Sequence, residues 1–376
     1  MLVCEDNIIR ILHLAYEDPK QPGSGGGSIR TLEINRRLAS NHDITAVVSG
    51  YKGAVPRYEQ GIHWIPLGTK WNYTIDKLSY FGLLWTKVVN TSYDLIVEDF
   101  GPPFAMGFTP LFANKPVVAS VQWLFASEMA EKYHLPVQYV EQFGLQFYTN
   151  FITVSNWLSD LIRTRCRHDV LIESIANGIE EEAFTVETNI PQHFIFVGRL
   201  DIAQKGCDLL IQAVIVAKKV LQDAMPKVLI VGDGPDEPEI KRLISANNLV
   251  DSFVFMGRVI GTEKYQLMAD AYAVLMPSRF ETFGMVAAEA QASGAPVITF
   301  DVGPLREVAG GGGGIFVPAF DVELFAKEMI DIVHFPEKST LSRKRGRIWA
   351  QRYNWNAIAL RQEAHYLGAI KAYRHD

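Results

Sequence analysis

The sequence has few cysteines and no long apolar run, and both absences restrict the class of protein. Its three cysteines, Cys4, Cys166 and Cys207, lie far apart and form neither a CxxC pair nor a pattern with metal-ligand spacing. We therefore predict reduced thiols, no disulfide framework and no zinc site. No apolar run reaches the ~18–20 residues of a membrane-spanning helix, and the first residues lack the basic and apolar segments of a signal peptide. These absences predict a cytoplasmic protein without a membrane span.

Clustered positive charge is also missing. The formal net charge is −6, so we do not expect a nucleic-acid partner, which Lys and Arg clusters would have to neutralise. Peripheral contact with a membrane stays open. Hydrophobic residues make up 48% of the chain and charged residues 21%, which is typical of a folded globular protein. Its 376 residues exceed one ordinary core and favour two domains.

Short β-branched runs alternate with amphipathic stretches, which is typical of βα units around a parallel sheet. The first series predicts strands at 8–15, 44–49, 62–67, 95–99, 117–121 and 151–155, and helices at 29–39, 74–89 and 137–148. A second series predicts strands at 193–198, 227–231, 253–256, 273–276, 297–300 and 315–317, and helices at 208–221, 236–246 and 284–292. Two series predict two doubly wound α/β domains.

We predict the first domain over 1–180, the second over 190–355, and a C-terminal helix in 356–376 that packs back on the first domain. The polar, non-periodic segment 177–192 contains Asn177-Gly178 and Pro191 and is the predicted hinge. The five glycines Gly310–Gly314 predict a flexible or tightly turning loop before the last strand.

A glycine-rich loop that includes Gly25, Gly26 and Gly27 follows the first predicted strand and precedes a helix. Backbone N–H groups and the helix dipole at such a place favour a phosphate. Dinucleotide binding is one alternative, but it expects an acidic residue where the second strand ends with Val48-Ser49-Gly50. A purely structural turn is the other.

Two cations, Arg199 and Lys205, follow a predicted strand of the second domain. Ligands of doubly wound folds bind at the carboxyl ends of strands, so these cations are placed to neutralise a diphosphate. The alternative is two solvated surface charges. The segment carries no DxD-like acidic pattern suited to a divalent metal.

The richest segment runs from Pro277 to Glu289. Glu281 lies in a loop and Glu289 inside an apolar helix, so their spacing does not indicate a paired-carboxylate hydrolase. Gly284 and Met285 begin that helix and offer N–H donors to an anion. A carboxylate in an apolar helix needs a partner, and the two hydroxyls of a ribose would satisfy Glu289.

Further candidate ligand contacts lie in the first domain. Glu98 and Asp99 end a predicted strand, where they would hydrogen-bond a polyhydroxylated or amino ligand, with a solvated strand end as the alternative. His134 is a further candidate, although a lone histidine is more often structural.

The second series, Gly198-Arg199 with Lys205, the Val231-Gly232-Asp233-Gly234-Pro235 turn, the 280–289 string FETFGMVAAE and Ala295-Pro296-Val297-Ile298 together resemble the retaining glycosyltransferases of family 4. The resemblance covers the whole second domain. In the first it rests mainly on Gly25–Gly27 and the strand order. It implies the GT-B fold, in which two Rossmann-like domains face a cleft and a C-terminal helix crosses back to the first.

The resemblance also implies an activity and its partners. A hexosyl group would move from a nucleoside-diphosphate sugar, with a UDP-sugar expected, to a hydroxyl of a glycan, glycolipid or small natural product, with anomeric retention. No cofactor and no metal would be needed. The first domain would be the acceptor side and the second the donor side. A GT-B phosphorylase, a nucleotide-sugar epimerase and a catalytically silent binding module remain alternatives.

Roles follow residue by residue from the same resemblance. The expected catalytic set is Arg199, Lys205 and Glu281, where the two cations hold the diphosphate and Glu281 contacts sugar hydroxyls. Glu289 would bind the ribose, and the glycine loop would close on the donor. Backbone contacts are expected to the sugar and phosphate from Phe283, Gly284 and Met285, and to the nucleobase from Arg258 and Val259.

Two departures from the family pattern matter. Many members have His where this chain has Val121-Gln122-Trp123, so Gln122 stands at that acceptor-side position. The interval from Arg199 to Lys205 is one residue longer than the commonest form, which predicts an adjusted loop with its function kept.

Overall fold

The computed structural model describes residues 8–89, 92–101, 108–124 and 137–374. The chain forms two compact units, one of Met1–Asn177 with Trp355–Asp376 and one of Gly178–Asn354. Each unit is built around a largely parallel sheet with helices. The prediction of two Rossmann-like, doubly wound domains is confirmed.

The sheet of the first unit has eight strands in the order β3-β4-β2-β1-β5-β6-β7-β8 among the described residues. Only β3 runs antiparallel to its neighbour. The strands are β1 (Arg10–Leu14), β2 (Asp43–Ser49), β3 (Arg57–Glu59), β4 (Ile62–Leu67), β5 (Leu95–Phe100), β6 (Val117–Val121), β7 (Asn150–Thr153) and β8 (Leu171–Ser174).

The sheet of the second unit is parallel throughout, in the order β11-β10-β9-β12-β13-β14. Its strands are β9 (His193–Val197), β10 (Val228–Val231), β11 (Phe253–Gly257), β12 (Ala271–Met276), β13 (Val297–Phe300) and β14 (Gly314–Val317). This order reverses between β9 and β12, and ligands of doubly wound sheets bind outside the strand ends at such a reversal.

Helices cover both sheets. Along the described chain they are α1 (Gly26–Leu38), α2 (Tyr73–Val88), α3 (Val137–Leu145), α4 (Asn156–Arg165), α5 (Glu182–Thr185), α6 (Ile202–Lys205), α7 (Cys207–Leu221), α8 (Glu237–Ala246), α9 (Gly261–Ala269), α10 (Met285–Ala292), α11 (Leu305–Ala309), α12 (Val322–His334), α13 (Glu337–Ala350) and α14 (Trp355–Tyr373). Short 3₁₀ turns lie at Thr109–Leu111, Gln222–Ala224, Val250–Ser252 and Gln351–Tyr353.

Burial explains why the strands read as apolar runs instead of alternating ones. All five residues of β6, VVASV, are buried, as expected for a parallel strand covered on both faces. The C-terminal helix α14 contributes Trp355, Ile358, Tyr366 and Ile370 to the core of the first unit. The prediction that this helix returns to the first domain is confirmed.

The chain crosses between the units after Asn177 and after Asn354. The first crossing lies at the start of the predicted hinge, 177–192. The rest of that segment packs on the second unit: Gln266 Nε2 donates to the Glu187 carbonyl at 2.9 Å and Asn189 Nδ2 to Asp270 Oδ1 at 2.9 Å. Its polar composition therefore reflects a surface connection and not a free linker.

The run Gly310–Gly314 is a tight turn held by close packing. A Cβ on Gly311 would lie 2.3 Å from the Trp349 ring, and one on Gly313 would lie 2.9 Å from the Gly346 Cα. Helix α13 thus packs directly on the turn, which only glycine permits.

Several boundaries differ from the predictions. Helix α1 begins at Gly26 and not at 29, because the first turn of a helix needs no intrahelical N–H acceptors and tolerates glycine. The predicted strand 151–155 ends at Thr153, and Ser155 caps the unpredicted helix α4 by accepting from Leu158 N at 3.2 Å.

Lys77 is buried in the first unit, so the pH dependence of the free energy of unfolding tests how its side chain is packed. Burial lowers the pKa of Lys77 to about 8, although Glu17 and Asp76 oppose the shift. Its Nζ donates to the Tyr16 carbonyl at 3.2 Å. Between that pKa and the unfolded-state pKa near 10.4 the unfolded chain binds more protons, so stability rises with pH.

We predict that Lys77→Met removes this rise. The free energy of unfolding of the wild type, minus that of Lys77→Met, should increase by roughly 2–3 kcal/mol between pH 8 and 10.5. Urea denaturation of both proteins across that range measures it. Parallel curves would show that the Lys77 ammonium is not desolvated as described.

Candidate functional site

The loops after β9 and β12 bring the predicted cations and one predicted acid to the same edge of the second sheet. Arg199 lies two residues after β9 and is exposed. Among the described residues its side chain has no hydrogen-bond or ion-pair partner. Lys205 ends the one-turn helix α6, which Asp201 caps by accepting from Gln204 N at 3.0 Å. The interval from Arg199 to Lys205, which the sequence predicted to be an adjusted loop, thus ends in a single capped helical turn.

Lys205 and Glu281 form an ion pair. Lys205 Nζ lies 2.6 Å from Glu281 Oε1, with side-chain exposures of 19% and 8%. Ser278 Oγ also donates to Glu281 Oε1, at 2.8 Å. The structure therefore brings together two of the three predicted catalytic residues and adds Ser278, which the sequence did not single out. A partly desolvated pair of this kind interacts more strongly than a surface pair.

Arg279 fastens the two loops to each other. Its guanidinium binds both oxygens of Asp208 at 2.8 and 2.7 Å and donates to the Ile202 carbonyl at 2.6 Å. The hydrogen bond to Asp208 raises the pKa of Arg279. Gly206 has φ +66°, and a Cβ there would lie 2.1 Å from the Pro277 carbonyl oxygen. Only glycine lets α6 pass this close to the loop that carries Glu281.

Glu289 has a protein partner that sequence reasoning missed. Lys264 Nζ, on α9, lies 2.9 Å from Glu289 Oε1, and the two side chains are 17% and 12% exposed. The expectation that Glu289 needs a partner is met inside the protein by Lys264, and its contact with a ribose stays a prediction. A lysine at an ordinary polar position of a helix gave no signal, because the pairing joins two helices that are distant in sequence.

The amino end of α10 lies at the same edge. Gly284 is its N-cap and has no side chain, so it makes no side-chain cap hydrogen bond to the first N–H groups of the helix. The Phe283 ring is buried and packs edge-to-face against Tyr353 at 5.5 Å. Phe283 thus holds the start of α10, and any ligand contact from it comes from its backbone.

Arg258 and Val259 follow the end of β11, the strand two places from β9. Arg258 is exposed and Val259 half-buried. The helix that carries Lys264 begins two residues later, at Gly261. The predicted nucleobase segment therefore leads directly into the helix that pairs with Glu289.

The glycine loop of the first unit already holds a carboxylate. Gly25 N donates to Glu17 Oε2 at 3.1 Å, whereas the sequence predicted a phosphate there. A Cβ on Gly25 or Gly26 would meet open space, so packing within the protein does not explain these two glycines. Gln122 Nε2 lies 3.4 Å from the Gly27 carbonyl oxygen, which places the end of β6 beside the loop.

Glu98 and Asp99 point to opposite faces of the sheet, as successive strand residues must. Glu98 is 2% exposed and accepts from the Tyr148 hydroxyl at 2.6 Å. Asp99 accepts from Thr31 Oγ1 at 2.9 Å and lies 3.2 Å from His13 Nε2. Both carboxylates make hydrogen bonds inside the first unit, and Glu98 is buried, so it is not a solvated strand end.

Other predicted features are outside the site or outside the described chain. His134 and Cys4 lie outside the described residues. Cys166 and Cys207 are free, and burial raises the pKa of Cys207 to about 12, so that thiol is not a poised nucleophile. Among the described residues no three His, Cys, Asp or Glu side chains are grouped as metal ligands. No helix in the described ranges is long and apolar enough to cross a membrane.

Comparison with known proteins assigns both halves of the chain to related families. Residues 191–334 match the family model "Glycosyl transferases group 1", and residues 24–183 match "Glycosyltransferase Family 4". Sulfoquinovosyl transferase SQD2 of Arabidopsis thaliana is 29% identical over 224 residues, which is 57% of this chain and 39% of that protein. The matched regions span between 28% and 68% of the lengths of the first curated relatives.

Solved structures resemble the whole fold. Sucrose-phosphate synthase from Thermosynechococcus elongatus has a TM-score of 0.78 at 20% identity, covering 97% of this chain and 100% of that chain. Anabaena HepE, solved in complex with UDP and glucose, has a TM-score of 0.72 at 20% identity, covering 96% and 99%. At these identities the likeness shows a common GT-B fold.

The Lys205–Glu281 pair predicts a measurable coupling in stability. A double-mutant cycle with Lys205→Met and Glu281→Gln should give an interaction energy of about 0.5–3 kcal/mol, because the pair is largely shielded from water. Urea denaturation of the four proteins measures it. The exposed helix pair Lys327–Asp331 is the matched control and should show a coupling of at most about 0.5 kcal/mol. Equal coupling in the two cycles would contradict the shielded geometry.

Proposed function

The chain belongs to the group 1, family 4 glycosyltransferases, and from this premise we propose that it moves a hexosyl group from a nucleoside-diphosphate sugar to an acceptor hydroxyl. We propose a UDP-sugar as donor, retention of the anomeric configuration, and a reaction that needs neither metal nor cofactor. Activity that persists in excess EDTA would be expected of such an enzyme, and NMR of the product reports its anomeric configuration.

One observation supports the donor site above all. Every donor-side residue of the second unit follows the carboxyl end of β9, β11 or β12; β9 and β12 flank the reversal of strand order, and β11 lies two places from β9. That edge is where doubly wound sheets bind nucleotides. The residues are Arg199, Lys205, Arg258, Val259, Glu281, Phe283, Gly284, Met285 and Glu289.

We assign the leaving diphosphate to Arg199 and Lys205. The exposed guanidinium of Arg199 is available for a bidentate contact with phosphate oxygens. Lys205 is held in place by Glu281, so its charge is positioned before the donor arrives. As the bond from C1 of the sugar to the diphosphate breaks, negative charge grows on the leaving oxygen, and these cations stabilise it. The acceptor oxygen bonds to C1 on the face from which the diphosphate departs, and the proton of the acceptor hydroxyl passes to the departing phosphate oxygen.

We assign Glu281 a double task. One oxygen, Oε1, holds Lys205 and Ser278. The carboxylate remains placed to accept hydrogen bonds from hydroxyls of the donor sugar at the amino end of α10. The first N–H groups of α10, from Met285 onward, would add positive potential beside the diphosphate.

The ribose is assigned to Glu289 with Lys264. The ion pair with Lys264 fixes the orientation of the Glu289 carboxylate. The carboxylate can therefore accept hydrogen bonds from the ribose hydroxyls without changing its conformation. The backbone of Arg258 and Val259, which leads into the helix of Lys264, would contact the base.

We assign Gln122 to the acceptor side and keep the glycine loop as a proposed donor contact. Gly25, Gly26 and Gly27 remain proposed substrate contacts because their Cβ positions are open or border Gln122. Glu17 already occupies the Gly25 N–H group, so a neutral hydroxyl fits this loop better than a phosphate. Glu98 is not part of this assignment.

We predict that Arg199→Ala and Glu289→Gln affect different kinetic constants. Removing one donor to a developing charge costs roughly 3–4 kcal/mol, or about 10²–10³ in rate. Arg199→Ala should therefore lower kcat strongly, with a smaller change in donor KM. Ribose binding does not change during the reaction, so Glu289→Gln should act mainly on KM. Initial rates against donor concentration measure both.

The exposed Arg242 on α8 offers a matched control, since its partner Glu239 lies three residues away on the same helix. Arg242→Ala should leave kcat and KM unchanged. If Arg199→Ala and Glu289→Gln also kept both constants, the donor-site assignment would be wrong. A loss of kcat alone in Glu289→Gln would move that residue to the reacting sugar.

A further inference from the structure

The outward face of α2 in the first unit is apolar, while the charges of this helix lie on its inner side. Asp76 and Lys77 are 4% and 1% exposed. Ile75, Leu78 and Trp85 are 39%, 58% and 54% exposed. An ordinary surface helix has the opposite arrangement, with its charges toward water. Exposed apolar surface that is contiguous marks an interaction site.

These side chains follow a regular spacing. Ile75, Leu78, Gly82 and Trp85, which we name the α2 seam, are separated by three, four and three residues. This is the alternating spacing of the contact positions in a two-helix coiled coil. Val89, 49% exposed, is the C-cap of α2 and continues the spacing by four residues at that end.

We propose that the α2 seam binds the α2 seam of a second copy of this chain, with the two helices antiparallel about a two-fold axis at the level of Tyr80. In that arrangement Ile75 faces Trp85 of the other copy, and Leu78 faces Gly82. Each large side chain thus meets a smaller one. Nothing within 4 Å of a Cβ on Gly82 blocks the close approach of Leu78 from the second helix.

Charge favours a second copy over a lipid surface. Helices that lie on membranes combine an apolar face with Lys and Arg that reach anionic headgroups. On α2, Lys77 is buried and Lys87 half-buried, and the described exposed side chains are apolar or threonine. A seam without charge creates no repulsion between two copies, whereas it offers little to an anionic bilayer.

The exposed area fits a weak, reversible interface. A fully covered aromatic side chain buries about 150–250 Å², but Trp85 and Val89 are only 54% and 49% exposed and can bury only that share. A symmetric pair therefore stays below roughly 1,200 Å², in the size range of transient interfaces.

Sedimentation velocity of the whole chain tests the proposal. The wild type should sediment as a species of twice the 42.1 kDa chain mass, in reversible exchange with monomer. Ile75→Lys and Trp85→Glu should each be monomeric, because each places an unpaired charge opposite an apolar residue. Mixed in equal amounts they should form a heterodimer, since the introduced lysine of one chain would face the introduced glutamate of the other, while the second Ile75–Trp85 contact stays native.

The control is Ile348→Glu on α13, where Ile348 is 74% exposed and outside the seam. It should dimerise like the wild type. Circular dichroism and Tm confirm that the variants are folded, which the exposure of both positions favours. Three results would overturn the proposal: a wild type that stays monomeric at all concentrations, single variants that still dimerise, or a mixture that stays monomeric. If the wild type stays monomeric and floats with phosphatidylglycerol vesicles, the α2 seam binds a lipid surface and not a second copy.

Discussion

The ion pair between Lys205 and Glu281 is the interaction on which the rest of the candidate site depends. It joins the loop after β9 to the loop after β12 across the reversal of strand order, and Arg279 ties the same loops through Asp208 and Ile202. Without Glu281 the half-buried Lys205 charge would have no carboxylate partner in the described chain. The fold places the ends of the strands, and the ion pairs fix the conformations of the side chains in the loops that follow them.

A second ion pair, between Lys264 and Glu289, joins the helices α9 and α10 in the same way. In both pairs a carboxylate assigned to a sugar hydroxyl is first bound by a lysine, so its orientation is set before a ligand arrives. Preorganised groups of this kind favour catalysis because they need not reorganise in the transition state. The first unit follows another rule: its carboxylates at the sheet edge, Glu98 and Asp99, are used for internal hydrogen bonds.

Periodicity and turn chemistry predicted the two sheets, since strands such as β4, β6 and β13 differ little or not at all from their predicted bounds. The position of the predicted donor-side residues after strand ends was also predictable, because a parallel sheet collects the residues after its strands at one edge. What could not be predicted depends on long-range pairing. Lys264 is an ordinary helix lysine until α9 meets α10, and Glu17 reaches Gly25 only through the fold of its loop. Burial of Glu98 was missed because successive strand residues face opposite sides.

Isothermal titration calorimetry tests the central claim, that Arg199 and Lys205 recognise the diphosphate of the donor, most directly. UDP, GDP, ADP and dTDP are titrated into the wild type, and the tightest binder is compared with its monophosphate. Hydrogen bonds to charged groups contribute about 1.5–3 kcal/mol each, so the wild type should prefer the diphosphate at least ten-fold. The Arg199→Ala/Lys205→Ala double variant should lose most of this preference while still binding the monophosphate. An undiminished preference in the double variant would contradict the account.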